Sequence, residues 1–242
     1  MDVMGGIALR GARTLLAALI VVLGIATCAV APVRAQSSSS SSSSSSKQVR
    51  KPASAAGAGL GSGVVSAGAY RNSTLGFTCR IPAEWVLRTE EMNARDDQSR
   101  GADSEKAAPD SGRAGRVLLA AFSRPPEVRA EDVNGSIVIA AETVAAYPGL
   151  KDAAQYFGPL TEVAKAGGFE VVEEPYEFVI GTKTVARGDF QKDVGSRRML
   201  QSTLVVLARG YAISFTFIGG TEDEVEELVQ GLNFGAGAKA GK

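Results

Sequence analysis

Residues Tyr70–Trp85 read YRNSTLGFTCRIPAEW. Two short extended pieces, Tyr70-Arg71-Asn72 and Phe77–Arg80, flank a turn at Ser73–Gly76, and Ile81-Pro82 stops the second before Trp85-Val86-Leu87 resumes. Everything before this stretch has the composition of an export signal and a tether, and everything after it that of a folded domain. Tyr70, Phe77 and Trp85 thus open a hydrophobic core. Trp85, the sole tryptophan, is expected to plug one core edge, with ligand stacking as the alternative.

Working outward toward the C-terminus, Arg116–Ser123 and Ser136–Thr143 are apolar runs bounded by turn residues, as expected of central strands covered on both faces. Leu150, Ala153, Phe157, Leu160 and Ala164 recur at helical spacing over 150–166, and Gly158-Pro159 should kink that helix or divide it. From Phe169 the chain reads as a meander of five pieces, Phe169–Glu173, Tyr176–Ile180, Lys183–Lys192, Arg197–Ala208 and Tyr211–Ile218. Their short turns make them antiparallel neighbours. Thr221-x-x-Glu224 opens a closing helix, Thr221–Leu232, with Val225, Leu228, Val229 and Leu232 as its buried stripe. The segment 92–115 is dense in Asp, Arg, Ser and Gly and is expected as an exposed loop. Its acidic residues Asp96, Asp97, Asp103 and Glu105 are interleaved with Arg95, Arg100 and Lys106 and lack the spacing of a calcium loop.

The order aromatic, short loop, Leu75-Gly76-Phe77, extended stretch, then Pro82-x-x-Trp85 resembles the opening of PsbP-like and DcrB-like domains. The ending, strand Tyr211–Ile218 through Gly219-Gly220 into the helix from Thr221, resembles theirs too, so the likeness covers about residues 70–234. It implies an α+β fold, an α/β/α sandwich built on an antiparallel sheet flanked by helices. On that reading Tyr70–Trp85 is the first layer of the sheet completed by Arg197–Ile218. Such domains commonly serve as accessory or assembly subunits, and the resemblance implies such a role here, although its motifs speak to fold more than to activity.

Toward the N-terminus, Arg10 and Arg13 precede an uncharged apolar run, Thr14–Ala31, and Val33-Arg34-Ala35 precedes Gln36. This is the three-part pattern of a signal peptide over 1–35, cleaved between Ala35 and Gln36. Cleavage after Ala29-Val30-Ala31 ranks second because Pro32 follows it. An uncleaved anchor and lipidation at Cys28 are the rivals, although Thr27 departs from the small residue usual before a lipidated cysteine. Residues 36–68, with the serine run 37–46 and the basic Lys47, Arg50 and Lys51, read as a disordered linker; 69–235 is the single domain and 236–242 a disordered tail.

The chain contains no histidine, which removes the commonest general base and metal ligand. With 26 basic and 26 acidic residues there is no cationic surplus to draw nucleic acid. Cys79 is expected to be a buried strand residue. No phosphate loop, nucleophile elbow or cysteine cluster is present, so no catalytic, cofactor-binding or metal-binding residue is assigned. The acidic first half of the closing helix matches the helix dipole, with a basic partner or cation as the alternative reading.

The expected function is that of a non-catalytic exported domain, periplasmic or extracellular, that binds another envelope or secreted protein and meets a membrane only through its leader. Two alternatives differ in class. One is a small-ligand or metal-binding enzyme with a pocket between the sheet and helix 150–166, lined by Tyr147, Tyr156 and Phe157. The other is a membrane-tethered structural envelope protein.

Overall fold

The computed structural model describes residues 60–61, 63–103 and 115–235. The expected leader, the Ala35/Gln36 junction, Cys28, most of the linker, 104–114 and the tail 236–242 lie outside the described residues.

The strands are β1 (Val64–Ser66), β2 (Ala69–Asn72), β3 (Phe77–Arg80), β4 (Val86–Leu87), β5 (Gly115–Phe122), β6 (Ser136–Thr143), β7 (Glu170–Ile180), β8 (Lys183–Val194), β9 (Arg197–Ala208), β10 (Tyr211–Gly219) and β11 (Leu232–Phe234). The helices are α1 (Thr89–Asp103), α2 (Phe157–Ala166) and α3 (Glu222–Gln230). Among the described residues, seven strands form an antiparallel sheet in the order β4-β5-β6-β10-β9-β8-β7, and four form a smaller one, β1-β2-β3-β11.

Strand β10 shows how side chains assign the layers. Ile213, Phe215 and Phe217 alternate with Ala212, Ser214 and Thr216, so successive residues serve opposite faces. The first set joins Phe77, Cys79, Val225, Val229 and Phe234 in the main core beneath the small sheet and α3. Phe77 meets Phe215 edge-on at 4.9 Å, and Phe234 meets Phe215 at 5.6 Å. On the other face, Ala212, Val205 and Phe190 pack under α2, while Val138, Ala120 and Phe122 pack with Met92 of α1. The chain is therefore α+β, with a large antiparallel sheet flanked by helices.

Several expectations need correction. Tyr70–Trp85 does not extend the sheet of Arg197–Ile218: β2 and β3 belong to the small sheet stacked on its face. The free side of β3 is taken by β11, where Leu232 pairs with Cys79 and Phe234 with Phe77. Leu232, expected in the closing helix, is thus a strand residue. Within the expected loop 92–115, residues 92–103 are helical. That helix is held by polar bonds to β5: Thr89 Oγ1 accepts from Ala120 N at 2.9 Å, and Asn93 donates to Val117 O and accepts from Val117 N at 2.9 and 3.1 Å. At the other border, Leu60 and β1, placed in the linker by composition, join the domain, and Leu60 O accepts from the buried Asn72 amide at 3.1 Å.

Pro159 neither kinks nor breaks its helix. The segment divides one turn earlier, a 3-10 turn at Ala154–Tyr156 giving way to α2, so Pro159 falls in the first turn, where no intrahelical donor is required. The pieces expected at 169–173 and 176–180 are one strand, β7, whose register with β8 shifts between Val171 and Tyr176, around Pro175. In the capping box, Thr221 Oγ1 accepts from Glu224 N at 3.2 Å as expected, but Glu224 Oε2 reaches Gly220 N at 2.7 Å rather than Thr221 N.

Candidate functional site

The space between the sheet and α2, where the enzyme alternative placed a pocket, is filled. Phe157, Tyr156, Phe169, Phe190 and Val205 pack there, with Phe157 seated against Gly188 of β8. The polar groups that do converge serve one another. Glu142, near the end of β6, is 1% exposed, and its Oε2 accepts from the hydroxyls of both Tyr147 and Tyr156 at 2.5 Å. Two 3-10 turns supply the tyrosines. Val144–Ala146, capped by Thr143, brings Tyr147 back over the strand, and Ala154–Tyr156 delivers Tyr156. Their rings meet edge-on at 5.1 Å.

Burial first, and the Glu142 carboxyl second, push both phenols above their ordinary pKa. Both therefore stay protonated donors at physiological pH, unsuited to act as bases. The cluster ties the β6 end to the loop preceding α2. Tyr147, Tyr156 and Phe157 are thus brought together as the sequence suggested, but as packing around a carboxyl that the sequence did not single out. The available signal was a lone acid ending an apolar strand, SIVIAAET.

A cavity of about 120 Å³ lies on the same sheet face but beside α1. Met92, Phe122, Met199 and Ile218 contribute its apolar walls, and Arg88, Glu91, Arg95 and Glu127 its charged ones. Glu91 takes bonds from Arg88 at 3.0 Å and Arg95 at 2.5 Å, and Glu127 lies 3.5 Å from Arg88. The charges pair within the wall. That volume is below the ~300 Å³ at which small-molecule pockets begin. Nothing in the sequence brought Glu91, Met92 and Arg95 together with the strand residues Phe122, Met199 and Ile218, because α1 lacks an apolar stripe.

Cys79 is fully buried on β3, and burial pushes its thiol up to about 12, so it is an inert core residue at neutral pH. Trp85 is partly buried at the edge of the main core, its ring against Gly135. Among the described residues no group of three or more His, Cys, Asp or Glu is placed to hold a metal ion. No helix among them is long and apolar enough to cross a membrane. On the acidic closing helix, Glu226 bonds Arg187, which also holds Asp189 at 3.0 Å, and Glu227 lies 3.7 Å from Arg80.

No family model and no curated protein matches the sequence. Several solved structures are similar to it. A cyanobacterial PsbP from Synechocystis is 14% identical, with 69% of this chain and 91% of that one covered at a TM-score of 0.39. The Ran-binding protein Mog1p of Saccharomyces cerevisiae is 10% identical, covering 67% and 91% at 0.37. LpqN of Mycobacterium tuberculosis, described as involved in cell envelope biogenesis, is 14% identical, covering 66% and 83% at 0.35.

Proposed function

We propose that this chain is a non-catalytic exported accessory domain that binds another envelope or secreted protein. The observation that carries the reading is where its apolar surface lies. Of the eight large hydrophobic side chains exposed among the described residues, six sit on strands that end a sheet: Val64 and Val65 on β1, Leu87 on β4, and Val172, Tyr176 and Val179 on β7. Open sheet edges that carry apolar side chains are surfaces that another chain can complete. The leader pattern of residues 1–35 supports export.

Crosslinking intact cells that make the full chain, followed by mass spectrometry of what remains attached, tests the binding. A specific protein retained through residues 60–235 is the expected result, and recovery of monomer alone under several growth conditions overturns it. The intact mass of the exported protein separates cleavage before Gln36 from lipidation at Cys28 and from a retained anchor. The last two outcomes would favour the membrane-tethered reading.

A further inference from the structure

We infer that the free edge of β7 over Tyr176–Ile180 is a strand-addition site for an extended basic segment of a partner protein, a reading that rests on the protein-binding function proposed above. Among the described residues, strand β7 ends the large sheet and pairs only with β8. Their hairpin closes through Gly181-Thr182, with Ile180 opposite Lys183 and Gly181 at φ 59°. In such a two-residue hairpin the closing pair exchanges both main-chain hydrogen bonds, and bonded pairs then alternate along the ladder. Ile180, Phe178 and Tyr176 are therefore bonded to β8. The N–H and C=O groups of Glu177 and Val179 point outward, toward the free edge.

The side chains specify what that edge accepts. Val179 is 66% exposed and Tyr176 37%, while Phe178 and Ile180 turn inward against the main core. Glu170, Glu173, Glu174 and Glu177 are all exposed, and β7 has no lysine or arginine. Pairing of two copies of this edge would bring the same glutamates together, and like charges across a strand pair are unfavourable. The acidic edge thus opposes self-association. A partner strand with Lys or Arg opposite Glu177 and a β-branched residue opposite Val179 reverses the sign of that interaction. The register shifts around Pro175 end the regular ladder at Tyr176, so the partner segment is short, about five residues or 17 Å.

The test uses the ¹⁵N-labelled full chain and a capped peptide of about nine residues in which Lys-Lys and Val-Val pairs alternate, so that Lys and Val alternate along each face of the strand. Saturating peptide should slow hydrogen exchange at the Glu177 and Val179 amides about ten-fold or more and leave Phe178, already bonded to β8, unchanged. A peptide with Glu in place of Lys should have no effect on the wild type but should protect the same amides of a Glu173→Lys/Glu177→Lys variant.

Equal binding of a Lys-Val peptide N-methylated at every residue, so that neither of its edges can donate, would reduce the effect to charge alone and overturn the proposal. So would peptide binding mapped to α3 instead of β7, or no binding at all. Slow exchange at Glu177 and Val179 without any peptide would show that a second copy or the chain's own tether already covers the edge, and would also overturn it. Should crosslinking still capture a partner when the peptide gives no protection, the protein-binding reading survives and only the β7 site falls.

Discussion

Gly188→Ala probes the tightest contact between helix and sheet. Gly188 is buried on β8 opposite Thr203, and a Cβ built there would lie 2.5 Å from Phe157 Cε1 and 2.8 Å from Cδ1. Carbon atoms in contact rest about 3.5–4.0 Å apart, so the Phe157 ring would have to withdraw by roughly 1 Å. The ring is 2% exposed and enclosed by Tyr156, Phe169, Phe190 and Val205, which leaves it no open side. Overpacking of this kind costs about 1–3 kcal/mol, and restriction of the unfolded chain by alanine offsets about 0.4–1 kcal/mol. The net expectation is a loss of about 1–2 kcal/mol. With a urea m-value of about 1–3 kcal/mol/M, the midpoint should fall by roughly 0.5–1 M at unchanged m. In a double-mutant cycle with Phe157→Leu, the alanine should cost at least about 1 kcal/mol less once the ring is gone. A Gly188→Ala protein as stable as the wild type, or additive behaviour in the cycle, would refute the notch-and-ring contact.

Three further outcomes follow from particular groups. Because burial and Glu142 hold the Tyr156 phenol protonated, the folded chain keeps a proton that the unfolded chain releases above about pH 10. Its contribution is complete below that pH and declines above it, by up to about 1.4 kcal/mol per pH unit. Tyr156→Phe should therefore cost about 1–3 kcal/mol at neutral pH and make the alkaline fall in stability shallower; an unchanged alkaline slope in urea titrations would contradict the assignment. Thr221→Ala removes the acceptor for Glu224 N and should cost about 1 kcal/mol, with Thr221→Ser close to neutral, measured by thermal unfolding. Cys79 should react with a maleimide only at the rate of unfolding, as mapped by peptide mass; labelling of the native protein at the rate of a free thiol would show that β3 is more open than its packing implies.

The parts of this fold that were legible in the sequence are those in which a residue's neighbours are near in the chain. Arg197–Ala208 and Tyr211–Ile218 were readable because their apolar alternation and the Arg209-Gly210 turn determine faces and pairing together. The small sheet was not, because it depends on three residues, Leu232–Phe234, returning across most of the domain to β3, and a segment so short has no period to detect. Helix α1 escaped for a different reason. Its grip on β5 is made by Thr89 and Asn93 hydrogen bonds, which leave no mark in a hydrophobic pattern. The Glu142 cluster likewise draws on tyrosines 5 and 14 residues away, carried in by two 3-10 turns.

The same distinction bears on function. The string EVVEEPYEFVI shows acid and apolar character in the sequence, but it becomes a surface only because strand order leaves β7 at an end of the sheet. Had β7 been an interior strand, Val179 would be core and Glu177 a buried charge in need of a partner. At the edge, the same residues present two free main-chain positions flanked by negative charge. Periodicity assigns a side chain to a face, whereas topology decides whether that face, or that edge, remains available to another molecule.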